Sequence, residues 1–330
     1  GNLTFPTSGD SLNKPPQEAA ITAFALFASR YFSNHAAQAF YKRWILPSNN
    51  SNRLADLLNW QPNLPEAPIE KLDFSRWFRN AGQVLMRDTW DYPEATLLEF
   101  KSTSFWSSNH HHLDQNAFTL FYKAPLLVDS GAYDDYKSSH RRNYFTRTIA
   151  HNTITVWDPS EIFGGNRKFS FTNDGGQKIM DALYPTLEQI QDGGSNYIDG
   201  VTQYEYTPDL TYVVGNASKA YNDSKLDQTK GFLRNIVFLR NPGFWQQPVI
   251  VMFDQVTAQP GKAGLIKRFL LHCMNEPEPL GGERIDPGQF LMKGNTVTIR
   301  NGMGMLFSQT LLPEDPVLTK IGGEDASGDH

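Results

Sequence analysis

From Asp73 onward the chain is a succession of short apolar segments with almost nothing helical between them. Gly82–Met86, Thr96–Phe100, Phe118–Phe121, Ile149–Trp157, Val201–Tyr206 and Thr211–Val214 read as strands. So do Phe232–Leu239, Val249–Val256, Leu265–Leu271, Phe290–Leu291 and Thr296–Arg300. They are rich in the β-branched and aromatic residues that suit a pleated, half-buried surface. Glycine pairs such as Asp174-Gly175-Gly176 and Asp192-Gly193-Gly194 punctuate them as turns. Strand following strand without crossover helices predicts a large antiparallel β-sandwich.

The start of the chain differs. Residues 1–17 carry loop composition, and Pro16 to about Leu46 turns helical. In Glu18–Tyr31, Ile21, Phe24, Ala25 and Ala28 fall at helical spacing. Ser33 or Asn34 is placed to cap a second helix, His35–Leu46, and Asn50–Trp60 reads as a short third one. Pro62, Pro65 and Pro68 mark a linker. The expected division is therefore a short helical segment over 1–66 and the sandwich over 67–330.

Composition narrows the function classes. Of 330 residues, 39% are hydrophobic and 20% charged, so a large core is affordable. A net charge of −5 with no basic stripe argues against nucleic acid. There is no apolar run of membrane-spanning length. The single cysteine, Cys273, excludes an intrachain disulfide framework and cysteine-based zinc sites. The sequence has no G-x-S-x-G, H-E-x-x-H or phosphate-binding G-x-x-x-x-G-K motif.

The chemistry concentrates between Asn109 and Asp158. His110, His112 and Asp114 alternate with His111 and Leu113, so a strand here would put the first three on one face. Phe118–Val128 follows as a buried strand, which Ala124-Pro125 is expected to break into a hairpin that brings Asp129 back towards His112. A third strand, Thr148–Trp157, would carry His151 near its start. Two imidazoles and a carboxylate converging from separate strands suit zinc. A polar cluster in a sugar-binding groove fits the same residues.

The order of these residues resembles the heparinase II/III-like polysaccharide lyases. The family pattern runs H-x-H-x-D, a short apolar hairpin, D-x-G, a tyrosine-rich loop, then T-I-A-H-N. Here it reads His110-His111-His112-Leu113-Asp114, then Asp129-Ser130-Gly131, then Tyr133, Tyr136 and Tyr144, then Thr148-Ile149-Ala150-His151-Asn152. The similarity extends from about Phe78 to about His272, taking in Leu233–Phe238 and Val251–Asp254. It implies an α/α toroid preceding the sandwich. Residues 1–66 are too short for one, so the chain is expected to be a shortened relative or a fragment, with the helical segment as the end of a toroid.

The resemblance also implies a reaction and roles. Uronic-acid polysaccharides such as heparan-type glycosaminoglycans or alginate are cleaved by β-elimination: a base takes the C5 proton beside the carboxylate, and an acid protonates the leaving O4. His110 matches the catalytic histidine. His112, Asp129 and His151 match the ligands of a supporting zinc ion. Tyr133 and Tyr136 lie where the family places site tyrosines. Asn109 is a candidate to hold the uronate carboxylate. Arg142, with Arg141 and Arg147, is a candidate to meet carboxylate or sulfate. Asp114 is expected either to orient a ligand histidine or to cap a strand. His111, Tyr144 and His272 read as packing residues. Such an enzyme would be periplasmic or secreted, its partner an acidic polysaccharide, with self-association an open expectation. Two other classes fit the residues: a binding sandwich that holds acidic sugar without cutting it, and a cupin-like iron oxygenase.

Overall fold

A computed structural model describes residues 25, 27–45, 53–107, 110–163, 172–180, 182–243 and 246–322. The chain divides into two compact units, with the main sequence boundary between Phe74 and Ser75.

In the first unit, α1 (His35–Phe40) begins where Asn34 Oδ1 accepts the Ala37 N–H at 2.9 Å, as the capping pattern predicts. It widens into a π-helical turn, Tyr41–Ile45, and α2 (Arg53–Asn59) follows. Most of the expected first helix lies outside the described residues. The proline linker belongs to this unit, which moves the boundary from 66/67 to 74/75. The reason is local bonding: the Ala67 N–H donates to His35 O at 3.2 Å, and Lys42 and Arg43 pair with Glu66 and Glu70, both at 2.5 Å.

The second unit is an antiparallel β structure, as the strand composition predicts. One sheet has five strands in order: β1 (Ser75–Phe78), β2 (Gln83–Arg87), β3 (Thr96–Lys101), β4 (Ala117–Tyr122) and β5 (Ala124–Leu127). A four-stranded sheet runs β10 (Val249–Val256), β9 (Phe232–Leu239), β8 (Leu210–Asn216), β7 (Gly200–Tyr206). Between them in sequence lies β6 (Ile154–Trp157), which pairs with β11 (Ile266–Phe269). Smaller ladders close the unit: β12 (Glu283–Asp286), β13 (Gln289–Met292) and β16 (Leu318–Ile321), and the hairpin β14 (Thr296–Asn301) with β15 (Gly304–Gln309).

The two large sheets share one core. Val84, Met86, Leu98, Phe100, Phe118 and Leu120 from the first pack with Val213, Ile236 and Phe238 from the second. This is the sandwich. Alternation drives it: along β9, residues 232, 234, 236 and 238 are all buried and the residues between them are not.

Three local expectations change. The turn between β4 and β5 falls on Lys123, at φ 58°, and Ala124-Pro125 opens β5. Thr148–Ala150 is a 3-10 turn, so His151 stands just ahead of β6 instead of in a long strand. Residues 110–116 are bends and turns, not a strand. Asn116, at φ 57°, swings the chain into β4, and its buried amide is bound on both sides. Ser102 Oγ donates to its Oδ1 at 2.7 Å, and its Nδ2 donates to Gly215 O at 3.1 Å. A Cβ at Gly215 would stand 2.1 Å from that Oδ1, so glycine is required there. With no ladder, the expected alternation of faces does not apply, and residues 112–118 are all buried.

Candidate metal centre

Three loop segments meet beside the sandwich core. The first is 110–116, the second begins at Val128, and the third is 146–153. Their backbones are tied together. The Leu113 N–H donates to Thr146 O at 3.0 Å, and Thr148 Oγ1 donates to Leu113 O at 2.8 Å. Asn152 acts as a knot. Its Nδ2 donates to Phe118 O at 2.8 Å and Val128 O at 3.0 Å, and its Oδ1 accepts the His272 N–H at 2.6 Å. The Ser130 N–H donates to Ala150 O at 2.8 Å. These bonds explain the asparagine of the T-I-A-H-N run: it positions the strand ends around the histidine before it.

The side chains then converge. His112 Nδ1 and His151 Nε2 are 3.3 Å apart, and both residues are fully buried. Asp114, also buried, brings a carboxylate oxygen into the same set, with all ligand atoms within 4.8 Å of one another. Asp114 Oδ2 is bound by Lys101 Nζ at 2.5 Å, while Oδ1 is buried without a partner. Asp129 approaches from the opposite edge: its Oδ1 lies 3.0 Å from His151 Nδ1, off the line of a good hydrogen bond. The expected trio of His112, Asp129 and His151 is therefore in contact, but through two different edges of the His151 ring.

The electrostatics follow from burial. Desolvation disfavours a charged His151, yet the neighbouring Asp129 carboxylate raises its pKa overall. Desolvation likewise pushes Asp114 up, and Lys101 with the nearby imidazoles overrides it, holding the carboxyl well below its ordinary range. His272, beside Asp129 and His151, is pushed down to about 4, chiefly by burial.

The donor set fits zinc. Two nitrogens bound to one tetrahedral zinc ion at about 2.0–2.1 Å lie about 3.3 Å apart, which is the separation seen between the two imidazoles. An orphaned buried carboxylate oxygen next to them is what a cation would satisfy.

The other expected residues are spread around this cluster. His110 is exposed, two residues ahead of His112. Asn109 lies outside the described residues. The Tyr133 ring meets Phe145 edge-on at 6.2 Å, and Phe145 meets the His112 ring at 4.8 Å. Tyr136 lies against Arg141, its ring centre 4.6 Å from the guanidinium. Arg142 is half-buried. Arg147 leaves the expected basic group: it is buried, and its Nη2 pairs with Asp174 at 2.9 Å. Tyr144 is half-buried and donates to Ser130 Oγ at 2.7 Å.

His111 is a packing residue. Its ring stacks on Trp106 at 5.7 Å, and its Nδ1 accepts the Ser107 N–H at 3.2 Å. Burial, aided by Lys101, pushes its pKa down to about 3. The folded value lies below the unfolded one of about 6.5. His111 therefore contributes stability that is full above pH 6.5 and is lost as pH falls towards 3. The expected slope for this one residue is at most about 1.4 kcal/mol per pH unit. His111→Gln should flatten a Tm-versus-pH curve between pH 6.5 and 4. An unchanged slope would show that His111 does not titrate on unfolding in that window.

A β-sandwich with a buried histidine–carboxylate cluster, fed by loops from its strand ends, is the class of protein this geometry defines. Residues 71–212 match the family model described as "Heparinase II/III-like, C-terminal", and that stretch holds every residue of the cluster. Over that stretch, somewhat under half of its length, the chain is similar to the heparinase II/III-like family. Among solved structures it is similar to a heparinase III gene product, at 14% identity and a TM-score of 0.48. That alignment covers 90% of this chain and 36% of the other, so the chain spans about a third of that protein's length. No curated protein matches the sequence. Among the described residues, no helix is long and apolar enough to cross a membrane.

Proposed function

We propose that this chain is the β-rich part of a polysaccharide lyase that cleaves uronic-acid glycans by β-elimination, acting in the periplasm or outside the cell. The observation that carries the reading is the family domain over 71–212, with His110, His112, Asp129 and His151 inside it in family order.

His112, Asp114 and His151 would hold a zinc ion. When bound, the ion supplies a fixed positive charge that locks the three loops together and lies near the anionic substrate. Asp129 would hold His151 by its other ring nitrogen, the arrangement that fixes a ligand imidazole's tautomer and orientation. At 3.3 Å the facing His112 and His151 nitrogens are within reach of one another, and holding an ion there would require both to present a lone pair, with any ring proton carried on the opposite nitrogen.

The chain's exposed groups would do the chemistry. His110, exposed two residues ahead of the buried His112, would move a proton at C5 or O4 of the sugar. Tyr133 and Tyr136, half-exposed on the loop after Asp129, are the second acid–base candidates and can stack on sugar. Positive charge near the uronate carboxylate stabilises the enolate-like intermediate, and Arg142 is on the adjoining turn.

The test is direct. The protein is incubated with a panel of uronate glycans while the absorbance of the unsaturated product is followed. Growth of that band on at least one glycan, reduced at least ~100-fold by His110→Ala, is the expected result. Tight glycan binding with no product, unchanged by His110→Ala, would replace the lyase reading with a binding sandwich.

A further inference from the structure

Among the described residues four arginines of the β unit are buried, and three of them are held by ion pairs or by several hydrogen bonds. Arg147 pairs with Asp174. Arg234 pairs with Asp254. Arg240 donates to Arg87 O, Thr207 O and Thr211 Oγ1. Arg141 differs. It is 2% exposed, yet among the described residues no carboxylate lies within ion-pair distance of it. Its Nε is buried without a partner, and its Nη1 makes a single long contact, 3.5 Å, to Tyr136 O. A buried guanidinium left this way is costly unless something answers its charge.

Its surroundings indicate what does. The Tyr136 and Tyr133 ring centres lie 4.6 and 5.8 Å from the guanidinium carbon. These contacts fit an arginine but do not neutralise it. The planar Nε edge stays unused, and that edge matches the two oxygens of a carboxylate or sulfate. The place is also right: Phe145 separates Tyr133 from His112 by a single ring layer.

We propose that Arg141, flanked by Tyr133 and Tyr136, is an oxyanion-binding residue that receives a carboxylate or sulfate group of an acidic sugar beside the metal cluster. The proposal rests on the acidic-glycan reading above and names the residue that recognises the charge.

Calorimetric titration of the full chain tests it, with a sulfated uronate oligosaccharide, its desulfated form and its carboxyl-reduced form as probes. Arg141→Gln is expected to raise Kd at least about tenfold for the forms that keep the recognised group, with Arg141→Lys in between because it keeps the charge and loses the fork. The form whose binding the variant leaves unaltered identifies whether carboxylate or sulfate is read. A merely structural arginine would behave differently: its removal lowers Tm, whereas removing an unanswered buried cation leaves Tm equal or higher. Folded Arg141→Gln that binds all probes like the wild type overturns the proposal alone. Wild type that binds no probe overturns the acidic-glycan reading with it. If neither variant folds, wild-type Tm is followed against micromolar to millimolar concentrations of each oligosaccharide at fixed salt; a saturable rise with the sulfated oligosaccharide that one of the two modified forms fails to give supports the proposal, and equal Tm with and without every probe overturns it.

Discussion

His151→Ala is expected to abolish zinc binding: metal analysis after dialysis should fall from one ion per chain to background. His151 lies between the two carboxylates of the cluster, sharing the ligand set with Asp114 and facing Asp129 through Nδ1. The neighbours divide the roles. If Asp114 is a ligand and Asp129 orients the ring, Asp114→Asn should resemble the loss of a ligand. Asp129→Asn should then weaken zinc only by about 10–100-fold, the usual effect of removing the carboxylate behind a ligand histidine. Competition against a chromogenic chelator measures both. The opposite pattern, with Asp129→Asn abolishing binding and Asp114→Asn leaving it intact, would move the ion to the Asp129 side. Stoichiometry of zero in the wild type would end the metal reading.

Arg234→Met should cost about 3 kcal/mol of unfolding free energy, because it leaves the half-buried Asp254 carboxylate unpaired and the Asn116 and Asn152 carbonyls without their donor. Arg234 is fully buried on β9 and makes four strong contacts. Its Nε and Nη2 grip Asp254 of β10 at 2.8 and 2.6 Å. Its Nη1 reaches Asn116 O at 2.6 Å and Asn152 O at 2.9 Å. Phe118, Phe232 and Phe269 surround the guanidinium at 5.0–5.4 Å. One side chain thus joins the four-stranded sheet to the loops that carry Asp114 and His151. Urea unfolding reads the loss, and the double change Arg234→Met with Asp254→Leu should recover part of it, since no charge then remains unpaired. A loss under about 1 kcal/mol in Arg234→Met would mean the pair is offset by its own desolvation.

The strands that read most clearly were those whose burial alternates over a full run. Phe232–Leu239 and Val249–Val256 lie where the sequence places them, to the residue. Elements with less periodic pattern did not announce themselves. Ser75–Phe78 at the sheet edge and the short ladders Glu283–Asp286 and Leu318–Ile321 carry too little alternation to register. The histidine segment shows the converse error. His110, His112 and Asp114 have the spacing of a strand face, yet a buried loop held by side-chain bonds has no period to obey.

Read alone, the sequence was enough to set the antiparallel sandwich, the family resemblance and the window that holds the cluster. Those depend on local alternation and on motif order along the chain, which the residues state directly. Only the tertiary structure decided that Asp114 joins His112 and His151, that Asp129 takes the far edge of the ring, and that Arg147 is a structural ion pair while Arg141 has no acid partner among the described residues. The cause is the reach of the bonds responsible: Arg234 lies 118 residues from Asn116 and 82 from Asn152. Contacts across such distances are made when two sheets pack, and no short-range pattern encodes which edge of an imidazole will meet which carboxylate.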